Sequence, residues 1–190
     1  MRVGLLLLAL VVVLPARASA EWQIKPFLGV TFDQTTTFAL AGPVSKRSFV
    51  FGACGTLLGD VFGLEADIEH VPNVFESALI LGSSATTLTG NFVIALPRNL
   101  TKYTLRPYFA AGGGLMAVRI DDISGALPIS RNKPAFDVGG GVTGFVTDRI
   151  GVSWDVRWFD SLEKNSEGLS IGPEHLSYWR AYMALAIRIE

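Results

Sequence analysis

Phe62-Gly63-Leu64-Glu65-Ala66-Asp67-Ile68-Glu69 is the stretch that decides the fold. Its even positions, Phe62, Leu64, Ala66 and Ile68, are apolar; its odd positions, Gly63, Glu65, Asp67 and Glu69, are a glycine and three acids. Side chains on a strand alternate faces with period two, so the segment reads as a strand with one apolar and one ionic face.

The same alternation recurs on both sides of it. Upstream, Trp22, Ile24, Pro26, Leu28, Val30 and Phe32 oppose Gln23, Lys25, Phe27, Gly29 and Thr31, and Phe49, Phe51, Ala53, Gly55 and Leu57 oppose Ser48, Val50, Gly52, Cys54 and Thr56. Downstream, Leu88, Phe92, Ile94 and Leu96 face away from Thr87, Thr89 and Asn91, and Pro107, Phe109, Ala111 and Leu115 from Arg106, Tyr108, Gly112 and Gly114. Three further segments follow: Phe136, Val138 and Val142 against Asp137, Gly139 and Thr143; Ile150, Val152, Trp154, Val156 and Trp158 against Gly151, Ser153, Asp155 and Arg157; and Trp179, Met183, Leu185, Ile187 and Ile189 against Tyr178, Arg180, Tyr182 and Arg188. Eight strands with no helical-period stretch between them predict an up-and-down antiparallel sheet.

Connection lengths give the ends of that sheet. Gly59-Asp60-Val61 and Thr147-Asp148-Arg149 are tight and 97–104 is intermediate, whereas 33–46, 72–85, 121–133 and 160–175 are longer and rich in Gly, Pro, Ser and Asp. Short turns on one rim and long loops on the other are the outer-membrane arrangement, with both termini on the periplasmic, short-turn side.

The faces follow from the small residues. Gly52, Gly63, Gly112, Gly114, Gly139, Gly141 and Gly151 all lie on the polar parity. A narrow barrel interior needs small residues, and a solvated exterior has no reason to prefer them. The apolar parity carries Trp22, Phe32, Phe49, Phe62, Trp158 and Trp179 near strand ends, where aromatic girdles sit. Lipid therefore faces the apolar parity. An open strand edge in hydrocarbon would leave unpaired N–H and C=O groups, so the sheet must close.

Met1 to Ala20 reads as a cleavable signal peptide, with Arg2 as its positive start, Leu5 to Leu14 as its apolar run and Ala18-Ser19-Ala20 as its cleavage site. The apolar run is about half of the roughly 20 residues a spanning helix needs. The expected organisation is a signal peptide over 1–20 and one barrel domain over 21–190, an all-β, eight-stranded antiparallel transmembrane β-barrel. Removing the leader takes Arg2 and Arg17 with it and moves the formal charge from −1 to −3. The charges are scattered, which gives no nucleic-acid partner. Cys54 is the single cysteine, so no internal disulfide stabilises the chain.

Over residues 21–190 the chain resembles the small eight-stranded outer-membrane β-barrel proteins of the OmpA/OmpX-like, porin-family kind. The resemblance rests on Phe62-Gly63-Leu64-Glu65-Ala66-Asp67, Leu105-Arg106-Pro107-Tyr108, Val138-Gly139-Gly140-Gly141-Val142 and the run from Gly151 to Phe159. It implies a monomer in outer-membrane lipid, inserted by the barrel-assembly machinery, with no cofactor and with any external ligand met by the long loops. One departure is the ending Ile187-Arg188-Ile189-Glu190, where such barrels end on an aromatic residue read by that machinery.

The inward parity places Glu65, Asp67, Glu69, Asp137 and Asp155 with Lys25, Arg106, Arg157, Arg180 and Arg188. Enclosed charges without partners are costly, so five acids facing five bases are expected to form an interior network. Arg157 and Arg106 are the expected bidentate partners of Glu65, Asp67 or Asp155, because guanidinium matches carboxylate geometry. Such a network is either a plug that fixes register and shape or a gated ion path. The plug fits better, since eight strands leave an interior only just wide enough for side chains. The expected role is non-enzymatic: structural, adhesive or protective, with a small ion or solute channel as the alternative. A soluble carrier would require the faces to be inverted.

Other motifs weigh less. Gly139 to Gly144 fits G-x-G-x-x-G but lies within a strand pattern with no helix after it, which a dinucleotide site requires. Asn99-Leu100-Thr101 is a sequon by pattern, in a turn expected to be periplasmic. Cys54 reads as a buried, inert thiol. His175-Leu176-Ser177 resembles the His-x-Ser of outer-membrane lipid A deacylases, with Tyr178-Trp179 where that family has Asn-Ala. By parity its His175 and Ser177 share the outward face at the outer rim, about 6.6 to 6.8 Å apart. With Glu174 or Glu167 nearby they form a candidate nucleophile and base for a lipid ester. His70 belongs to no group of metal-ligand spacing.

Overall fold

The computed structural model describes residues 20–36, 47–72, 80–101, 105–122, 129–162 and 176–189. Its strands are β1 (Glu21–Thr36), β2 (Arg47–Leu58), β3 (Phe62–Pro72), β4 (Ile80–Ala95), β5 (Leu105–Asp122), β6 (Ile129–Phe145), β7 (Ile150–Ser161) and β8 (Leu176–Ile189). Each pairs antiparallel with the next, and β1 pairs with β8, so the sheet is a closed up-and-down barrel. A 3-10 turn, Arg98–Leu100, sits in the connection between β4 and β5.

The parity reading holds around the ring. Leu28, Leu64, Leu88, Leu115, Trp154 and Met183 point outward and are 50 to 61% exposed, while Glu65, Asp67, Glu69 and Asp155 point inward and are at most 4% exposed. An apolar belt of this kind exceeds what a soluble monomer exposes and suits hydrocarbon. Aromatic pairs edge the belt. Toward the long-loop end Phe32 stacks on Trp179 with ring centroids 6.5 Å apart, and Phe136 meets Trp158 edge-on at 5.4 Å; toward the short-turn end Phe62 stacks on Phe92 at 5.7 Å. His70 joins the upper group, 5.4 Å from the Phe51 ring and 2.9 Å from the Thr86 hydroxyl.

Strands extend beyond the alternating segments. β4 begins at Ile80 and β6 at Ile129, inside stretches expected to be loop, and β5 runs on to Asp122. The ladder Arg119↔Ser130 to Met116↔Lys133 continues the β5–β6 pairing there. Beyond the apolar belt neither parity has to be apolar, so Gly82-Ser83-Ser84 and Ser130-Arg131-Asn132 pair as strands without showing the period that would announce them.

The closing seam has two irregularities. The β1–β8 register shifts between Phe32 and Thr35, where Asp33 adopts a left-handed φ of 52° and a bulge brings Thr35 opposite Ser177. Lower down, the ladder passes from Ile24↔Ile187 to Phe27↔Ala184 and skips Lys25 and Pro26, the second of which has no N–H to donate.

Leu28→Arg, at the middle of β1, is expected to cost about 2 to 4 kcal/mol of folding free energy in lipid vesicles. Urea titration of the folded fraction against wild type measures it.

Candidate functional site in the barrel interior

The interior is built in levels, because inward side chains of neighbouring strands at one height must together fill one cross-section. Arg157 centres the middle level. From β7 its Nε lies 2.9 Å from Asp155 Oδ1, and its Nη2 lies 3.0 Å from Asp155 Oδ2 and 2.7 Å from Glu65 Oε1 on β3. Its Nη1 is 3.4 Å from Asp137 Oδ2 on β6. Asn91, with its amide turned to satisfy both neighbours, donates to Asp137 Oδ1 at 2.9 Å and accepts from Arg157 Nη1 at 2.8 Å. Tyr108 donates to Asp155 at 2.7 Å, and Thr56 to Glu65 at 3.1 Å. Lys25 reaches Glu65 Oε2 at 3.4 Å.

Arg180 centres the level toward the long loops. It holds Asp67 in a fork, with Nη1 and Nη2 each 2.9 Å from a carboxylate oxygen, and Nη1 lies 2.7 Å from Glu69 Oε2. Tyr178 donates to the other oxygen of Glu69 and lies 3.2 Å from the Thr87 hydroxyl. The guanidinium carbon sits 4.7 to 4.9 Å from the ring centroids of Phe159, Tyr182 and Phe27. Phe27 in turn stacks on Tyr182 at 4.3 Å, and Phe159 on Tyr178 at 5.2 Å. The polar fork and the aromatic box together replace the hydration that Arg180, fully buried, has lost.

Toward the long-loop end the inward residues carry no buried acid or base among the described residues: small hydroxyls such as Thr31, Ser48, Ser83 and Ser161 alternate with apolar side chains. Val50, Val71, Ala85, Met116, Val118, Phe159 and Leu176 form a buried cluster near the long-loop end. Below Lys25, at the short-turn end, the lumen opens into a cavity of about 390 Å³.

Of the ten expected network residues, eight meet at the two central levels: Lys25, Glu65, Asp67, Glu69, Asp137, Asp155, Arg157 and Arg180. The other two do not. Arg106 is not a central partner of Glu65, Asp67 or Asp155; it lies at the short-turn rim, donating to the carbonyls of Gly59, Asp60 and Leu96 at 2.7, 2.6 and 3.1 Å. Arg188 pairs there with Glu21 and donates to the Asp148 carbonyl at 2.6 Å. The expected balance of five and five is therefore not local. Among the described residues of the central levels, five acids face three bases, and the surplus carboxylates take hydroxyl and amide donors from Tyr108, Tyr178, Thr56 and Asn91. Parity fixes which face a residue takes, but height is fixed by the stagger between strands.

The inward glycines are where the large side chains fit. A Cβ at Gly139 would lie 2.2 Å from the Val156 carbonyl and 2.6 Å from Arg157 Cγ, and one at Gly52 would lie 2.5 Å from the tip of Phe27. At the outward Gly55 and Gly90 nothing lies within 4 Å.

His175 and Glu174, like Glu167, lie outside the described residues. Ser177 is not on an exposed face as its parity predicted: it is 8% exposed, with its hydroxyl 2.7 Å from that of Thr35 across the bulged seam. Gly139 to Gly144 stay within β6. Cys54 is buried, 3.8 Å from the Lys25 carbonyl and 3.7 Å from the Tyr182 hydroxyl. Cys54, Glu65 and Asp67 offer ligand atoms within 4.8 Å of one another, but both carboxylates are already held by arginines.

The barrel and its charged, aromatic interior define the class: the fold is that of the small eight-stranded outer-membrane barrels. Neisserial surface protein A superposes with a TM-score of 0.66 at 10% identity, over 89% of this chain and 97% of that one. OprG from Pseudomonas aeruginosa gives 0.59 at 10% identity over 91% and 97%, and Ail of Yersinia pestis 0.52 at 12% over 90% and 99%. No protein-family model and no curated protein matches the chain in sequence.

Arg180→Met leaves Asp67 and Glu69 buried without their cation and is expected to cost about 3 to 5 kcal/mol, part of it recovered by adding Asp67→Asn. Gly139→Ala is expected to destabilise by about 1 to 3 kcal/mol, and Gly90→Ala to fall within about 0.5 kcal/mol of wild type. Equilibrium unfolding in urea with heat-dependent gel mobility measures all four.

Proposed function

We propose that this is an integral outer-membrane protein, inserted with both termini in the periplasm after loss of residues 1–20. Its role is non-enzymatic, structural, adhesive or protective, and its lumen is closed by the central charge network. The observation that carries this reading is burial: Arg157, Arg180, Phe159, Met116 and Leu176, drawn from β5, β7 and β8, are each 0% exposed across consecutive levels of the lumen. A water-filled path would leave some of these side chains wet. The apolar belt, its aromatic edges and the likeness of fold to outer-membrane barrels support the location.

With the lumen filled, work on the outside falls to the segments joining strands at the long-loop end, 37–46, 73–79, 123–128 and 163–175. Ail, whose fold is shared, has a solved complex with the heparin analogue sucrose octasulfate. For the present chain, a ligand met by these segments is the corresponding reading.

A second reading, a small ion channel, rests on the charge of the lumen and on the 3.4 Å Lys25–Glu65 contact, the loosest link in the network together with Arg157–Asp137. Single-channel recording of the refolded protein in a planar bilayer separates the two. The expected result is a folded barrel, with heat-dependent gel mobility, that carries no discrete current. Arg157→Ala is expected to lose stability by several kcal/mol, about 3 to 5, and to admit current where wild type admits none. A wild type with discrete steps would make the channel reading the right one. An Arg157→Ala barrel with unchanged stability and no current would remove both roles.

A further inference from the structure

We infer that the cavity at the short-turn end of the lumen is a binding site for a small organic carboxylate with an apolar body. Its volume of about 390 Å³ lies at the small end of the roughly 300 to 1,000 Å³ of small-molecule sites. The cavity is two-sided. One wall is the buried apolar cluster of Leu58, Val93 and Ala95 with the Tyr108 ring; the other presents Gln23, Lys25 and Thr143. The inner end is formed by Lys25 and Tyr108, and the mouth lies by the β6–β7 turn at Thr147 and Asp148.

Lys25 sets the ligand chemistry. Its ammonium has three N–H donors and is 2% exposed, yet among the described residues its side-chain acceptor is Glu65 Oε2 alone, at 3.4 Å. The contact is long because Glu65 is drawn the other way, 2.7 Å from Arg157 and 3.1 Å from the Thr56 hydroxyl. The Tyr108 ring, 5.0 Å from the ammonium, supplies a π face but no oxygen in its place. Two donors of a buried cation therefore remain for an acceptor in the cavity. At the mouth Arg188 is matched by Glu21, and Arg106 donates to the carbonyls of Gly59, Asp60 and Leu96, so Lys25 is the lining cation whose donors are left for a ligand at the inner end.

Each alternative ligand leaves part of the site unsatisfied. A cation meets Lys25 directly, an uncharged apolar molecule leaves the ammonium donors empty, and inorganic phosphate leaves the Leu58, Val93 and Ala95 wall without apolar contact. A carboxylate headgroup on Lys25, with its hydrocarbon body along that wall, satisfies both sides. The pocket is blind only if the middle of the lumen is filled, so the inference shares that much with the reading above.

The test is hexanoate titration of the refolded protein in lipid nanodiscs, followed by backbone amide NMR shifts, with hexanol and inorganic phosphate as comparison probes. The expected result is saturable shifts at the inward Thr56, Val93 and Thr143 with hexanoate but not with hexanol or phosphate, and at least about tenfold weaker binding in Lys25→Met. Val93→Trp fills the cavity and keeps Lys25, and is expected to abolish the shifts; it decides the matter if Lys25→Met fails to regain its heat-dependent mobility. Hexanoate that moves no inward amide, that binds both folded variants as it binds wild type, or that is matched by hexanol or phosphate would overturn the inference. A conducting barrel would change the reading of the lumen without altering the binding result.

Discussion

Hydrocarbon offers no partner to a peptide N–H or C=O, and that one deficiency governs the rest of the molecule. A sheet whose outward parity is Leu, Ile, Phe and Trp has to find every backbone partner within itself, so β8 must return to β1. Once the ring is closed at eight strands, its interior is fixed at a width that side chains fill. What lies inside is then whatever the inward parity of each strand brings, and the chain brings carboxylates, guanidinium groups, tyrosines and glycines.

The interior answers a problem opposite to that of a soluble core. Instead of removing apolar surface from water, it has to make a set of ions comfortable away from water. It does so with two arginines at successive heights, each held by more than one carboxylate, and with phenol, hydroxyl and amide donors that take up what the bases do not. Buried ion pairs of this kind add little net stability over a well-packed apolar core, but they penalise every arrangement that separates them. Their value lies in fixing one stagger among the strands. The glycines belong to the same solution, since Arg157 and Phe27 occupy space that a Cβ on the facing strand would fill.

Much of this was legible from residue order. Period-two alternation gave eight strands and their faces, and the short turns at Gly59-Asp60-Val61 and Thr147-Asp148-Arg149 distinguished the two ends. Arg157 was legible as a carboxylate partner because parity alone puts it inside. Arg106 was not, since it shares that parity yet is the second residue of its strand, where carbonyls of the β2–β3 turn come within reach. The Arg180–Asp67 fork joins β8 to β3, strands that are not neighbours in the sheet, and no local pattern reports a contact across a lumen. Phe27, Phe159 and Tyr178 interrupt the polar parity and read as noise until they are seen around Arg180. Glu21 shares the inward parity of Gln23 and Lys25 but stands at the very start of the alternation, and its partner Arg188 arrives from the other end of the chain.

The fork between Arg180 and Asp67 spans 113 positions, and the pair of Arg188 with Glu21 spans 167. Contacts of such sequence separation cannot form while the chain is being laid down strand by strand; they become available when the last strand meets the first. The network is therefore a late event in assembly and an early casualty of opening. Interactions that are absent until the end of folding leave the forward rate nearly untouched and act on the reverse rate. In this barrel the charges inside set how long the ring stays shut, and the two interruptions of the β1–β8 ladder, at Lys25–Pro26 and between Phe32 and Thr35, mark where the seam has least backbone pairing to hold it.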